Sequence, residues 1–446
     1  MSSIPGGAYP FHPPLRLEAL LRERAEYACK GIPIALLGCP VGQMGAARAC
    51  LLDEGAQFPV AVLKASALAA NSVWMRGFLE RTGTRLAPHG KTSMAPQLFD
   101  RQLRDGAWGI TAATVAHLRV YRQHGVQRVM FANQLVGAAE IDYVLDELAA
   151  DPAFDFYCLV DSEAALSRLL ARIGLRPPGR PLQVLLEVGA MGGRTGVRGF
   201  ERACELGRVI RAAAPAIALR GIETFEGIHG GHDMAVVEPL VAGLLALTAE
   251  VARAGERESW FSAGPVVLSA GGSAFFDMAA RVLDNSGLAN EVEVVLRSGC
   301  YLTHDSLHYA RHAADMRARM PSLEDLPGCL QPALELIAHV QSLPEPGRAI
   351  AGFGKRDASF DIDLPQPRWW FRPGLHDRPQ ALAGGIAVTG LNDQHAFVDG
   401  AAVAALAVGD LMGFGISHPC TTFDKWRLLP VVDDDYRMVD AIRTFF

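Results

Sequence analysis

The sequence predicts an α/β protein with a (β/α)8 barrel of the TIM type, followed by a mostly β C-terminal domain. From residue 59 to residue 300, short apolar runs typical of strands alternate with longer amphipathic stretches typical of helices. Short apolar strands between helices favour parallel strands that are buried on both faces. About eight such repeats in about 240 residues fit a closed barrel. The pattern leaves an open doubly wound sheet as the alternative.

The predicted barrel elements follow one another in order along the chain. The strand candidates are short apolar runs at residues 59–63, 128–131, 156–160, 184–188 and 266–269. The helix candidates are the longer stretches at residues 66–82, 114–124, 162–173, 200–213 and 238–254. Because strands alternate with helices, we expect the strands to run parallel to one another.

The character of the sequence changes after residue 290. Glycine and proline become frequent, notably at residues 344–354 and 365–385, and such residues mark loops between β-strands. We therefore interpret residues 55–290 as the barrel and residues 291–446 as a β domain. Residues 1–54 are expected to join the β domain and to complete it with strands. The segment 304–322 is expected to form a helix or a long loop.

Composition and charge narrow the class of protein. Half of the 446 residues are apolar and 20% are charged, which is typical of a globular chain and excludes wholesale disorder. The net charge of −6 argues against a general nucleic-acid binder. The sequence has no uninterrupted apolar run of about 18 residues, the length that a membrane-spanning helix needs. We also expect no signal peptide, because no charged leader precedes an apolar run. Eight scattered cysteines without a Cys-x-x-Cys pair predict a reducing, cytoplasmic location.

One lysine stands at a position where chemistry is expected. The chain has five lysines, and Lys91 follows a Pro-His-Gly turn at the end of the second strand-like segment. The carboxyl ends of barrel strands face the active site, so Lys91 would project into the mouth of the barrel. A lysine amine there can bond covalently to a carbonyl cofactor. The alternative is an ordinary surface lysine in a loop.

Three glycine-containing turns offer contacts for an anionic ligand. The turn after residue 188 holds Arg194, whose guanidinium can bind an oxyanion. The turn at Gly272 and Ser273 precedes a predicted helix, where backbone N–H groups can bind a phosphate. A further turn contains Gly299, Cys300 and Tyr301. Ordinary connecting turns are the alternative for all three.

A His-x-Cys segment near the C-terminus indicates a metal site. His418 and Cys420 are two residues apart in a segment that we expect to be extended, so both side chains would face one side. Imidazole and thiolate together favour zinc, although such a pair also arises by chance. His395 is interpreted either as a contact near that metal or as a structural histidine. A second metal site is not expected from the remaining clustered histidines, His229, His232, His304, His308 and His312.

Residues 88–92, Pro-His-Gly-Lys-Thr, resemble the cofactor-lysine motif of the D-serine dehydratase and D-threonine aldolase family, which has the alanine-racemase-like fold (fold type III) and uses pyridoxal 5'-phosphate. The resemblance continues from residue 59 to the C-terminus. It implies that Lys91 holds the cofactor covalently and takes the substrate α-proton. It also implies cofactor contacts from Arg194, Gly272, Ser273, Gly299, Cys300 and Tyr301, and a zinc ion held by His418 and Cys420.

The cysteine at position 420 decides between activities within this family. Dehydratases of the family carry His-x-Cys for zinc, whereas the aldolases usually carry aspartate at the position of Cys420 and use manganese-like ions. The resemblance therefore implies a homodimeric dehydratase of D-hydroxy amino acids, converting D-serine, and D-threonine as a further substrate, to a 2-oxo acid and ammonia. The alternatives are a D-threonine aldolase, an amino-acid racemase and a non-catalytic pyridoxal-phosphate carrier.

Overall fold

The computed structural model describes residues 12–53, 55–229, 233–382 and 384–446, so His232 and residues 1–11 of the N-terminal segment lie outside the described residues. The chain divides into two compact units. The first unit contains residues 79–90 and 99–298, together with the described residues before Arg16. The second unit contains residues 16–78, 91–98 and 299–446.

Strands and α-helices alternate through the first two thirds of the described chain, and strands dominate the last third. The strands are β1 (Val60–Lys64), β2 (Arg85–Leu86), β3 (Ile110–Ala112), β4 (Arg128–Gln134), β5 (Asp155–Val160), β6 (Leu182–Val188), β7 (Ile217–Thr224), β8 (Val266–Ala270), β9 (Val292–Leu296), β10 (Leu334–Glu345), β11 (Arg348–Ala351), β12 (Gln366–Phe371), β13 (Gln380–Ala381), β14 (Ile386–Leu391), β15 (Ala396–Gly400), β16 (Leu411–Gly415), β17 (Leu428–Val432) and β18 (Met438–Arg443). The α-helices are α1 (Glu18–Arg22), α2 (Ala65–Thr82), α3 (Pro96–Arg104), α4 (Val115–Gln123), α5 (Ala138–Ala150), α6 (Glu163–Leu175), α7 (Phe200–Ala212), α8 (Met234–Arg257), α9 (Phe276–Asp284), α10 (His308–Arg319) and α11 (Cys420–Phe423).

The first unit is a parallel barrel. Strands β3 to β9 pair in sequence order, and β9 pairs with β2. The ring closes between β2 and β3, the two ends of this strand order. The Thr111 N–H of β3 donates to the carbonyl of Pro88, just after β2, at 2.9 Å, and His89 forms a parallel bridge with Thr111. This sequential order confirms the predicted (β/α)8 barrel and excludes the open doubly wound sheet.

Apolar side chains fill the centre of the barrel. Strand β8 is buried at every position, as expected for a strand with side chains inside the ring on one face and helices on the other. Trp108 and Tyr157 pack inside with ring centroids 5.3 Å apart. The interior cluster comprises Ala87, Trp108, Met130, Tyr157, Leu159, Leu185, Val267 and Val295. The barrel is therefore a packed core, and its chemistry is left to the loops at the strand ends.

The barrel helices begin where the sequence supplies caps. The Thr114 hydroxyl accepts from the His117 N–H at 3.2 Å at the start of α4. The Ser162 hydroxyl accepts from the Ala165 N–H at 3.3 Å at the start of α6. These bonds satisfy backbone donors that the first helical turn leaves without partners.

By length and composition α8 alone among the described helices could cross a membrane, and in the fold it packs on β6 and β7.

The second unit is built on a ten-stranded sheet. Strand β10 pairs antiparallel with β1, β11 and β16, and β17 pairs antiparallel with β18. Strand β1 lies between β10 and β17. The predicted mostly β C-terminal domain is thus confirmed. Trp369, on β12, is buried and packs against Tyr436 with ring centroids 5.1 Å apart, so this aromatic residue serves the core.

The interpretation of residues 59–63 as the first barrel strand is wrong. This apolar run is β1, which belongs to the ten-stranded sheet of the second unit. The first barrel strand is β2, which has only two residues. A central strand of a mixed sheet is buried on both faces, so its sequence has the same continuous apolar character as a barrel strand. A strand of two residues gives no such pattern.

The N-terminal segment supplies no strand within its described part, contrary to expectation. Residues 12–53 contain α1 and two 3-10 helices, Ile34–Leu36 and Val41–Ala47. Their apolar side chains, such as Leu20 and Met44, join the core cluster that contains Leu428 and Met438. The barrel unit extends to Ser298, and residues 16–78 lie in the second unit, so the boundaries differ from those expected at residues 54 and 290. Helix α10, His308–Arg319, lies within the segment 304–322, as one of the two expected forms of that segment.

Candidate functional site

Lys91 follows the first barrel strand in a short 3-10 turn, Gly90–Thr92. Any other residue at position 90 would force the structure to shift, because its Cβ would lie 2.3 Å from the hydroxyl oxygen of buried Tyr121. The Lys91 side chain is exposed, and its amine has no hydrogen-bond or ion-pair partner among the described residues. An accessible amine without a partner is free to react with a carbonyl group. The structure thus keeps the predicted catalytic lysine available.

Arg194 lies in the loop that follows β6, at the carboxyl edge of the barrel. Its guanidinium stacks over the ring of Phe225, 4.0 Å from the ring centroid. Stacking on an aromatic face fixes the plane of a guanidinium while its N–H groups stay available to an anion. This position is compatible with the predicted contact to an oxyanion of the cofactor.

Arg198 holds the Arg194 loop in shape. Its guanidinium donates to the carbonyl oxygens of Gly193 at 3.1 Å, Arg194 at 2.9 Å and Thr195 at 2.5 Å. Three carbonyls that point at one side chain cannot rearrange without losing charge-assisted hydrogen bonds. Sequence reasoning missed Arg198, although its place four residues after Arg194 in a glycine-rich turn was the available signal.

Charged groups are buried near the carboxyl ends of neighbouring barrel strands. Arg297, just after β9, forms an ion pair with Glu223 of β7, and both side chains are almost fully buried. Arg297 also donates to the Ser269 hydroxyl at 2.7 Å. Burial raises the pKa of Glu223, and the Arg297 guanidinium opposes that rise. Fixed partners therefore hold these charges in the barrel interior.

The turn at Gly272 and Ser273 is occupied by a carboxylate of the chain itself. Fully buried Glu226 accepts from the Gly271 N–H at 3.0 Å and from the Gly272 N–H at 2.7 Å. A Cβ at Gly272 would lie 2.5 Å from the same carboxylate. Two N–H groups that converge on one anion have the geometry of an anion site. A phosphate at these donors would have to displace Glu226, so the roles of Gly272 and Ser273 stay predictions.

Gly299, Cys300 and Tyr301 form a buried turn after β9. The Cys300 sulfur lies 3.6 Å from the Cys420 sulfur. Tyr301 is 4% exposed. The predicted cofactor roles of these residues stay predictions, and the structure adds a contact that the sequence did not indicate. Cys300 and Cys420 are 120 residues apart in the chain.

The interpretation of residues 418–420 as an extended segment is wrong. His418 has a left-handed φ of 62°, and Cys420 begins the short helix α11. Pro419 has the helical angles φ −56° and ψ −35°, because its ring fixes φ in a range that suits a helix start. The two side chains still meet, since His418 and Cys420 are hydrogen-bonded to one another.

Asp361 and Thr92 complete the surroundings of the His-Cys pair. His418 Nδ1 donates to Asp361 Oδ2 at 2.6 Å. The Thr92 hydroxyl oxygen lies 3.5 Å from Cys420 Sγ and 3.9 Å from Cys300 Sγ. Thr92 directly follows Lys91 in the chain, so the pair lies beside the predicted catalytic lysine. Asp361 carried no signal in the sequence, and Thr92 was marked only as the last residue of the lysine motif, because contacts this distant along the chain need the fold.

The electrostatics of the pair favour a thiolate at Cys420 and an imidazolium at His418. The hydrogen bond from the Cys300 thiol, followed by the nearby His418 imidazolium, holds the pKa of Cys420 well below the usual thiol range. Burial lowers the pKa of His418, but Cys420 and Asp361 outweigh it and raise that pKa to about 9. The hydrogen bond to Cys420 and burial raise the pKa of Cys300. A lowered pKa favours the thiolate form of Cys420, which is the form that binds a metal.

The donor chemistry fits zinc. His418 offers Nε2, because Nδ1 is held by Asp361, and a carboxylate behind a histidine is the usual support of a zinc ligand. Cys420 offers a thiolate. No group of three or more His, Cys, Asp and Glu side chains in the described ranges is arranged to hold a metal ion. A zinc ion on this pair would therefore keep positions open for water or substrate.

The residues also fit pyridoxal phosphate. Lys91 offers an exposed amine without a partner, which the aldehyde of the cofactor requires. Arg194 presents a stacked guanidinium at the carboxyl edge of the barrel, where small-molecule sites lie in this fold. The Gly271 and Gly272 N–H groups are already used by Glu226, so the phosphate contacts of the cofactor stay predictions.

Of the other histidines considered in the sequence, His304 lies next to this cluster, because its N–H donates to the Cys300 carbonyl at 2.6 Å. His395 is in the turn between β14 and β15, where it lines a surface groove of about 340 Å³ with Gln341 and Phe397. No contact joins it to His418 or Cys420 in the part of the chain that the structure describes, and its role stays a prediction. His308 and His312 stack along α10 with ring centroids 4.8 Å apart.

Comparisons with known proteins agree with this architecture. Residues 333–432 match the family model "Putative serine dehydratase domain". The chain is 26% identical to a D-threonine aldolase of Arthrobacter sp. over 383 residues, which cover 84% of this chain and 89% of that protein. It is 27% identical to the D-threo-3-hydroxyaspartate dehydratase of Delftia sp. strain HT23 over 384 residues, 82% of this chain and 91% of that protein.

A solved structure shows the same fold. The crystal structure of a D-threonine aldolase from Filomicrobium marinum superposes with a TM-score of 0.69 at 22% identity, covering 94% of this chain and 98% of that chain. The matches to the two curated relatives cover more than four fifths of the chain, so they include residues of both units. The chain is thus similar over most of its length to lyases that act on D-amino acids, and residues 333–432 match the serine dehydratase domain.

Proposed function

We propose that this protein is a pyridoxal-phosphate- and zinc-dependent dehydratase of D-hydroxy amino acids, with D-serine as the first substrate to test and D-threonine as the second. The observation that carries this proposal is the position of Cys420. Its sulfur lies 3.5 Å from the hydroxyl of Thr92, the residue after Lys91, and its imidazole partner is His418. A nitrogen-and-sulfur metal pair beside the reactive lysine suits the departure of a hydroxyl group.

Lys91 would supply both the attachment point of the cofactor and the base. When bound, pyridoxal phosphate withdraws electrons from the substrate α-carbon and so weakens its C–H bond. The Nζ of Lys91 takes the α-proton from a position fixed by the turn at Gly90. Arg194 holds an oxyanion at the carboxyl edge of the barrel, and Arg198 keeps the Arg194 loop in shape.

His418 and Cys420 would hold the zinc ion. A hydroxyl group is a poor leaving group at neutral pH, and a Lewis acid such as zinc assists its loss. Asp361 orients the imidazole of His418 through Nδ1, so that Nε2 faces the metal. Thr92 contacts the Cys420 sulfur and so couples the position of the pair to the lysine turn.

A product assay tests the proposal. The purified protein is incubated with D-serine, D-threonine and D-threo-3-hydroxyaspartate and with their L-enantiomers, with and without a chelator and with zinc added back. We expect ammonia and a 2-oxo acid from D-enantiomers only, with activity lost on chelation and restored by zinc. Lys91→Ala should abolish turnover, whereas Lys355→Ala, a lysine of the β domain, should retain it.

The second candidate is retro-aldol cleavage, which the similarity to D-threonine aldolases favours. Glycine and an aldehyde as the main products from D-threonine would replace the dehydratase proposal with this one. Exchange of enantiomers without ammonia would indicate a racemase, and bound cofactor without any turnover would indicate a carrier. In Cys420→Asp we expect elimination to fall and aldolase activity to appear, if the cysteine selects the reaction.

The assembly and location belong to the same proposal. We propose a cytoplasmic homodimer, as the family resemblance and the scattered cysteines suggest. Analytical ultracentrifugation of the purified chain, with and without pyridoxal phosphate, tests the assembly, and a monomer at micromolar concentration would contradict it.

A further inference from the structure

We propose that Cys300 and Cys420 form an intramolecular disulfide when the protein meets a peroxide, and that this modification removes a ligand from the candidate zinc site. The sulfur atoms lie 3.6 Å apart, although the residues are separated by 120 positions in the chain. The proposed link itself depends only on this geometry. Its effect on metal binding rests on the proposed function.

The geometry suits a reversible bond. A disulfide joins its sulfurs at about 2.05 Å, so the pair has to close by about 1.5 Å. Cys420 begins the four-residue helix α11, and Cys300 lies in a turn rather than in a strand. Neither residue is anchored inside a long regular element. Rotation about the side-chain bonds, with a small shift of the turn, can therefore bring the sulfurs together.

The two cysteines differ in access, which assigns their roles. Cys300 is 4% exposed, whereas Cys420 is half-buried. Because Cys420 is the less buried residue of the two, we assign it as the thiol that meets a small oxidant first. Cys300 is enclosed beside it, in contact with the Thr92 hydroxyl. Cys420 is thus the reacting thiol and Cys300 the resolving thiol, the arrangement of redox-active pairs.

The chemistry balances with hydrogen peroxide as the oxidant. The Cys420 sulfur attacks one peroxide oxygen, the O–O bond breaks, and a sulfenic acid and one water form. The Cys300 sulfur then attacks the sulfenic sulfur, the S–O bond breaks, and the released hydroxide takes the Cys300 proton to form a second water. Two thiols lose two electrons and two protons, and one peroxide becomes two waters.

The link would compete with zinc. A thiolate is required to bind zinc, and a disulfide sulfur is not one. The oxidised chain would keep only His418 of the candidate pair. Zinc already bound to the Cys420 sulfur would conversely shield it from the peroxide. We therefore expect oxidation to be slower in the zinc-loaded protein than in the metal-free protein.

Peptide mapping of the full-length protein tests the link. The metal-free chain is treated with one equivalent of hydrogen peroxide, alkylated and digested without reductant. We expect the eight thiols to fall to six, one peptide pair joined through Cys300 and Cys420, and recovery of both thiols after addition of a reductant. Absence of this joined pair, or thiol loss spread over other cysteines, would overturn the proposal.

Two variants separate this pair from general oxidation. In Cys300→Ser we expect no joined peptide, and Cys420 should instead gain one or two oxygen atoms. Cys50→Ser removes another half-buried cysteine, which lies outside the cluster, and should leave the Cys300–Cys420 link intact. If Cys300→Ser loses two thiols as the unaltered chain does, the proposal fails. The mapping of the unaltered chain decides the question even if a variant does not fold.

Zinc titration of the reduced and oxidised chains distinguishes the disulfide proposal from the proposed zinc-dependent function. We expect zinc affinity to fall at least about 100-fold on oxidation and to return on reduction. If the link forms but the reduced chain binds no zinc, the metal part of the proposed function fails and the disulfide stands. If the reduced chain binds zinc but no link forms, only the disulfide proposal fails.

Discussion

The barrel interior and the cluster around Cys420 both bury charged side chains, and they stabilise them in different ways. In the barrel, the Arg297 side chain is 2% exposed and its N–H groups are used by Glu223, Ser269 and the Thr224 carbonyl. In the cluster, Asp361 holds His418 Nδ1, while His418 and Cys420 are bonded to one another and the Cys420 sulfur also contacts the Cys300 thiol, contacts that a metal could replace. The first arrangement fixes a structure, and the second is ready for a ligand.

This difference explains why only one of the two regions is a good candidate for metal chemistry. A charged side chain whose hydrogen-bonding groups all bond to other residues of the fold has no group available to bind a ligand. Removing that side chain leaves its buried partner without a compensating charge. A charged side chain whose contacts a metal can replace contributes less to folding stability and remains available to bind a ligand. The contrast predicts that substitutions in the barrel act on stability and that substitutions in the cluster act on metal affinity.

The largest expected effect is on the barrel ion pair. Arg297→Met leaves Glu223 buried without its cation, so we expect a loss of about 3–5 kcal/mol in the free energy of unfolding. Urea denaturation followed by circular dichroism measures the change. The double variant Arg297→Met with Glu223→Gln should recover most of the loss, because no buried charge remains. If Arg297→Met alone is as stable as the unaltered chain, the contrast between the barrel interior and the cluster around Cys420 is wrong.

The cluster should respond in the opposite way. For His418→Ala we expect zinc affinity to fall more than about 100-fold, since one of two ligands is lost. Above pH 9, where the charge of His418 no longer stabilises the fold, the free energy of unfolding of the metal-free protein should change by less than about 1 kcal/mol. A competition assay with a chelating dye measures the affinity. His339→Ala, an exposed histidine of β10, serves as the control and should retain zinc.

The sequence predicted the barrel well because its strands are continuous apolar runs between helices with clear caps, as at Thr114 and Ser162. It misplaced residues 59–63 because a central strand of a mixed sheet has the same apolar pattern as a barrel strand. The short strand β2 gave no pattern at all. The pattern of apolar residues along a segment indicates that the segment is buried, but it does not indicate which sheet the strand joins.

The candidate site was predicted where its residues lie in local motifs and missed where the fold brings distant residues together. Lys91, Arg194 and the His418–Cys420 pair are each marked by glycine, proline or short spacing. Asp361, Glu226 and the Cys300–Cys420 contact join positions between 45 and 120 residues apart. Such pairs carry no local signal, and a thiol or carboxylate alone does not indicate its partner.

Asp361 gives a sharper test of the open coordination of His418. In Asp361→Asn the imidazole keeps a neighbour of the same shape but loses the carboxylate that orients it and raises its basicity. We expect zinc affinity to fall about 10–100-fold, less than for His418→Ala. The matched control is Asp363→Asn, which removes a carboxylate near Arg311 and Ser417 instead. Equal affinity losses in both variants would show that the effect is general surface charge.

The smallest expected effect is a difference in pH response between two histidines of the second unit. Burial, with a further contribution from Arg317, lowers the pKa of His304 to about 4, whereas Cys420 and Asp361 outweigh burial and raise that of His418 to about 9. Both histidines titrate near 6.5 in the unfolded chain. NMR titration of the metal-free protein, with assignment by His304→Asn and His418→Asn, measures both values.

The two shifts act on stability in opposite directions. Between pH 6.5 and about 9 the folded chain binds the His418 proton more tightly than the unfolded chain, so the stabilisation from His418 is complete below pH 6.5 and is lost as the pH rises through 9. For His304 the unfolded chain binds the proton more tightly, so stabilisation is complete above pH 6.5 and is lost as the pH falls through 4. Zinc should remove only the alkaline loss, because a bound imidazole no longer titrates. If zinc leaves the alkaline limb unchanged, His418 is not a ligand and the contrast between the two regions fails.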